Sequence, residues 1–107
     1  MSKTFPGSLR PYGSETRRAQ REIMYRVYLL KSLTEGGYYI GQTDNIERRI
    51  HEHNSGQEKA TRGRAPLTLI GYEEYETRNE ARWREYQLKK SLQKRKIFFK
   101  KLNFIPG

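Results

Sequence analysis

Residues 24–53 read MYRVYLLKSLTEGGYYIGQTDNIERRIHEH, and this stretch decides the fold. Met24 to Lys31 brings together valine, two leucines and two tyrosines, the composition of a strand. Gly36-Gly37 marks a turn, because glycine takes up positive φ without a steric cost. Tyr38 to Gln42 is then a second strand, and the two make a hairpin. Beyond it the period changes. Ile46, Arg49, Ile50 and His53 fall on one face of a helix. Asp44 is placed as the N-cap of that helix, with Glu47 three residues on in capping-box register. Asn54-Ser55-Gly56 closes it, Gly56 suiting the left-handed cap.

Working outward, Gln57 to Pro66 is a loop holding Lys59, Arg62 and Arg64. Leu67 to Glu76 alternates partly and reads as a third strand. Thr77 and Glu80 form a second capping box, opening a helix that runs to about Gln93. A basic helix over Lys94 to Leu102 follows. The expected fold is α+β, a small three-stranded antiparallel sheet flanked by helices. Residues 1–22 are rich in Ser, Gly, Pro and Arg, and are read as a flexible basic leader with a short helix from Glu15 to Glu22. Residues 23–107 are read as the one folded domain.

The chain has 107 residues and a formal net charge of +10. That excess points to a polyanionic partner, nucleic acid above all. Its distribution is uneven: residues 1–22 carry +3, residues 23–85 balance to zero, and residues 86–107 carry +7 with no acid among them. There is no cysteine, so disulfides and cysteine-rich zinc sites are excluded. No apolar run approaches a membrane span and no apolar signal core stands at the start, so a cytoplasmic protein with no membrane partner is expected.

Two charges stand where packing alone would not put them. Glu85 falls four residues after Ala81, on a stripe continued by Leu88 and Leu92. A carboxylate facing a core is costly unless paired or metal-bound, so Glu85 is either salt-bridged, for instance to Arg49, or a metal ligand or acid in a cleft. Arg49 lies between Ile46 and Ile50, and its guanidinium needs an anion: Glu85, or a substrate phosphate. His53, one turn on, is a packing histidine or a member of the same site. Tyr28 and Tyr39 pass as ordinary strand residues, but Gly41 inside a strand marks a close approach by another group.

These residues carry a resemblance to the GIY-YIG nucleases. Val27-Tyr28 stands at the first element, with Arg26 in place of its glycine, and Tyr39-Ile40-Gly41 is the second element. Arg49, His53 and Glu85 follow in the family's order and spacing, and the likeness covers residues 24–102. It is to the small single-domain bacterial type, related to the nuclease domains of excinucleases and of DNA resolvases.

The resemblance implies a metal-dependent DNA endonuclease, structure-selective and linked to repair or recombination, with a catalytically inactive nucleic-acid-binding module as the alternative. It implies Mg²⁺ or Mn²⁺ held by Glu85, and a catalytic set of Tyr28, Tyr39, Arg49, His53 and Glu85. The resemblance makes Tyr39 the candidate base, its phenol pKa expected to be lowered by Arg49 or the metal, with Tyr28 able to share or take over the role. Lys59, Arg62, Arg64, Lys89 and Lys90 are the candidates for holding the DNA backbone, whether branched, nicked or single-stranded.

Overall fold

Strand β1 (Tyr25–Ser32) forms the middle of a three-stranded antiparallel sheet, with β2 (Tyr38–Thr43) on one side and β3 (Leu67–Tyr75) on the other. The structure is a computed structural model and describes residues 23–106, so the expectations for the leader and its short helix lie outside the described residues. The central position explains the unbroken apolar run in β1. Val27, Tyr28, Leu29 and Leu30 are all buried, since both faces of the sheet are covered. Gly36 has φ of +78°, and the turn is closed by the Ser32 amide donating to the Gly37 carbonyl at 2.8 Å.

Helix α1 (Ile46–Asn54) covers one face. Tyr28, Leu30 and Leu67 pack there with Ile46 and Ile50. Helices α2 (Arg78–Lys90) and α3 (Leu92–Lys101) cover the other, where Val27, Leu29 and Ile40 meet Ala81, Leu88, Phe98, Phe99 and Phe104. A bulge between Leu29 and Leu30 shifts the β1–β3 register, so that Ile70 faces the second cluster and Leu69 the first. Among the described residues no helix is long and apolar enough to cross a membrane.

Helix ends differ from expectation at two places. The N-cap of α1 is Asn45 rather than Asp44: the Asn45 side-chain oxygen accepts from the Arg48 amide at 3.0 Å, while Asp44 pairs with the Arg48 and Arg78 guanidinium groups. The α2 helix stops at Lys90 rather than near Gln93. Ser91 is extended (φ −120°, ψ 114°), and its hydroxyl accepts from the Lys94 amide to cap α3. Leu92 therefore leaves the Ala81–Leu88 stripe and is 57% exposed. The Thr77–Glu80 capping box forms with both reciprocal bonds, and Gly56 takes its positive φ after α1.

Candidate active site

The α1 face of the sheet holds a buried polar chain. Tyr28 points from the central strand to this face, and its hydroxyl lies 3.0 Å from His53 Nε2. Arg49 Nε donates to the same hydroxyl at 3.3 Å. His53 Nδ1 lies 2.7 Å from the Thr61 hydroxyl, in a short 3₁₀ turn over Lys59–Thr61. His53 and Thr61 have no exposed surface. The Thr61 hydroxyl also donates to the Glu58 carbonyl at 3.5 Å, which leaves its oxygen to accept from His53 Nδ1–H. Nε2 is then the acceptor for the Tyr28 O–H, and the Tyr28 oxygen accepts from Arg49. Every member has a role that matches its neighbour's.

Tyr39, on the next strand, lies beside the chain. Its ring centroid is 4.9 Å from that of His53 and 6.3 Å from that of Tyr28. Gly41 is required by this packing. It pairs directly across the sheet with Tyr28, and a Cβ there would meet the Tyr28 hydroxyl at 2.4 Å and its ring carbon at 2.7 Å. The close approach expected at Gly41 is thus made by the chain's own Tyr28 side chain.

Arg49 does not pair with Glu85. Its two terminal nitrogens donate to Glu52 at 2.8 Å and to Glu58 at 2.6 Å. Glu52 lies one helical turn on, so it shares the face of Arg49. Glu58 arrives through the loop, where no periodicity announces it. Thr61 and Glu58 are the partners that sequence reasoning missed. Burial works against the charge on Arg49, but the bonds to Glu52, Tyr28 and Glu58 outweigh it and hold the guanidinium protonated. The hydrogen bond from Arg49 in turn holds Glu52 below the usual carboxylate range. Burial pushes the Tyr28 phenol above its ordinary value, more than the bond from Arg49 brings it down. Burial, helped by Arg49, holds the His53 imidazole below its ordinary value and so neutral.

Glu85 lies on α2, which runs past the edge strand β2. Its carboxylate accepts from Lys89 Nζ at 2.6 Å, and the same Nζ lies 5.5 Å over the Tyr39 ring. Lys89 therefore links Glu85 to the tyrosine side of the site. Among the described residues no three His, Cys, Asp or Glu groups converge on one point. The donor set fits a hard divalent ion that takes one carboxylate and fills its other positions with water and phosphate oxygens, and it does not fit zinc. The ammonium of Lys89 already stands at Glu85 as one positive charge.

The other basic candidates divide. Lys59 and Arg62 are exposed on the loop, with Arg62 Nε donating to the Gly56 carbonyl. Arg64 is drawn into the hairpin, bonded to the Tyr38 carbonyl at 3.3 Å and 3.6 Å from Glu35. Lys90 lies 5.8 Å over the Tyr86 ring. The seven bases of the C-terminal segment are not all unpaired, although the segment holds no acid. Lys89 pairs with Glu85 and Lys101 with Glu73, while Arg95 caps the carbonyls of Leu88 and Lys89.

Comparison with known proteins matches the chain to one family. The family model of the GIY-YIG catalytic domain covers residues 24–102. The chain belongs to the GIY-YIG family. That is a nuclease family, acting on DNA and generally with a divalent metal. The chain is 44% identical over 75 residues to a UPF0213 protein of Clostridium perfringens, spanning 69% of this chain and 80% of the relative. It is 43% identical over 67 residues to one from Halobacterium salinarum, spanning 62% and 86%. A solution NMR structure of the UPF0213 protein BH0048 from Bacillus halodurans is 33% identical, with a TM-score of 0.46 over 78% of this chain and 88% of that one. The order β2-β1-β3 with helices on both faces is the α+β architecture expected from the sequence.

Proposed function

We propose that this chain is a metal-dependent endonuclease that hydrolyses phosphodiester bonds in DNA, selecting its substrate by shape and acting in repair or recombination. The observation that carries this reading is the Tyr28 hydroxyl held between His53 Nε2 and Arg49 Nε, with Glu85 linked to the same site through Lys89 and Tyr39.

Hydrolysis of a phosphodiester needs somewhere for the proton of the attacking water to go, and a means to stabilise charge on the phosphate. The hydrogen-bond directions supply the first. As water gives its proton to the Tyr28 oxygen, Tyr28 gives its own to His53 Nε2. No free phenolate has to form, which matters because burial opposes one. His53 starts neutral; burial and Arg49 oppose the charge it gains, and the nearby Glu58 and Glu52 counter part of that opposition. Thr61 holds the ring in the accepting tautomer. Tyr39 lies against the same imidazole and is the second group that can take or steer the proton.

Arg49 supplies the second need. Its carboxylate partners fix the guanidinium without covering it, since its side chain is 26% exposed, and an incoming phosphate shares it with them. A Mg²⁺ or Mn²⁺ ion bound by Glu85 would add charge stabilisation at the scissile phosphate and leaving oxygen. Lys59 and Arg62 on the loop, Arg64 at the hairpin, and Lys89 and Lys90 on α2 flank the site and suit backbone phosphates.

The test is cleavage of flap, junction, nicked and single-stranded DNA with added Mg²⁺ or Mn²⁺. Wild type is expected to cut at least one of these. Glu85→Gln is expected to lower the rate by roughly a thousandfold or more while DNA binding is retained. Binding without cleavage of any substrate by wild type would favour the binding-only module.

A further inference from the structure

We infer that the exposed ring pair Trp83 and Tyr86 on the outer side of α2 is a stacking platform for an unpaired nucleobase, an inference that rests on the nucleic-acid reading above. Helix α2 buries Ala81 and Leu88 against the sheet, yet on its outer side it presents Trp83 at 60% and Tyr86 at 53% exposure. The two rings lie nearly parallel, 15° apart with centroids 5.6 Å apart. They stack on each other and present their outer faces and edges to water, although large aromatic residues are usually buried.

Charge around the platform decides what it accepts. Lys90 Nζ sits 5.8 Å over the Tyr86 ring, and the next lysine, Lys89, reaches Glu85 and the Tyr39 ring. Two successive lysines thus join the catalytic carboxylate to the aromatic pair. Around the helix Tyr86 and Trp83 point about 100° and 160° away from Glu85, so the rings lie on the outer side of α2 and the carboxylate on its inner side. A strand that passes over the outer side of α2 meets the rings with Lys90 beside its phosphates. A flat, π-bearing ligand on an anionic backbone matches aromatic rings with the Lys90 ammonium beside them. In a duplex the base faces are already stacked, so the platform selects unpaired bases: ends, flaps, gaps and loops.

Trp83 is the chain's single tryptophan, so its fluorescence reports on the platform directly. The experiment uses Glu85→Gln protein to keep the strand intact. It is titrated with a short oligothymidylate, the matching oligouridylate, an abasic strand of equal length and a blunt duplex. Quenching by the two base-bearing strands, and none by the abasic strand or the duplex, is the expected result. Trp83→Ala and Tyr86→Ala should weaken single-strand binding roughly tenfold with duplex binding unchanged, and Trp83→Phe should restore most of it. Equal quenching by the abasic strand or the duplex would overturn the inference. So would binding that ignores Trp83→Ala, or a concentration-dependent dimer that Trp83→Ala abolishes. If wild type fails to cleave but the rings still govern single-strand binding, the nuclease reading falls and the platform stands. Cleavage with ring-independent binding sinks the platform alone.

Discussion

Two charged clusters lie on opposite faces of the sheet and are built in opposite senses. On the α2–α3 side, the single carboxylate of Glu73 accepts from Arg84 at 2.8 and 3.0 Å, from Lys101 at 2.6 Å and from the Tyr75 hydroxyl at 2.7 Å. On the α1 side, the single guanidinium of Arg49 is met by Glu52, Glu58 and Tyr28. The Glu73 side chain is 9% exposed and that of Arg49 is 26% exposed. Burial alone would raise the Glu73 carboxyl, but its hydrogen bonds from Arg84, Lys101 and Tyr75 outweigh burial and hold it below the usual range. The first cluster is closed: it ties β3 to both helices and leaves little room for a ligand. The second is open at its rim and continues into a buried proton-bearing chain. The same chemistry thus forms a staple on one side and the proposed site on the other, and accessibility makes the difference.

Removing the staple gives the largest expected effect. Glu73→Ala leaves Arg84 without its carboxylate and should cost about 3 kcal/mol of unfolding free energy, read from urea denaturation. Cleavage at a temperature where the variant is still folded should be near wild type. A large loss of turnover in fully folded protein would erase the contrast between the two clusters. Arg49→Lys makes the converse cut. One ammonium cannot replace a planar fork serving Glu52, Glu58 and Tyr28, so turnover should fall roughly a hundredfold, with a smaller loss of stability. Steady-state kinetics and denaturation of the same sample check both halves.

The smallest effect separates geometry from charge. Thr61→Val removes only the hydroxyl that orients His53, and should cost about 1 kcal/mol of stability together with a several-fold drop in turnover; Thr61→Ser should rescue both. A related measurement uses pH. His53 has its folded value below the ordinary 6.5, so the unfolded chain takes up a proton first as pH falls. Its contribution to stability is whole above about pH 6.5 and declines as pH drops from there towards the lower folded value. Glu73 and Glu52 lose theirs only at more acid pH, below the ordinary carboxylate value of 4.5. His53→Gln should therefore abolish the decline just below pH 6.5 and leave the acid limb. An unchanged decline would remove His53 as its source.

Much of the frame was legible because its causes are local. The hairpin follows from Gly36-Gly37 between two strand-forming runs, and the start of α2 follows from the Thr77–Glu80 box, whose two bonds lie within four residues. Asn45 in place of Asp44 is a near miss between adjacent residues with the same capping chemistry. Ser91 was not legible. Its hydroxyl caps a new helix because Phe98, Phe99 and Phe104 have to reach the core beside Val27 and Leu29, and that demand comes from the sheet. The same break carries Leu92 off the stripe that held Ala81 and Leu88.

By itself the sequence determined that Tyr28 and Tyr39 stand on adjoining strands and that Arg49 and His53 share a helical face. A period of two and a period of 3.6 suffice to place them. The partners that meet across the loop were decided by tertiary structure alone. Arg49 takes Glu58 rather than Glu85, and Thr61 reaches His53, whereas Glu85 pairs with Lys89 one turn along its own helix. Helical and strand periods say which way a side chain points. They do not say how an irregular loop folds back, and that return path chooses the hydrogen-bond partners.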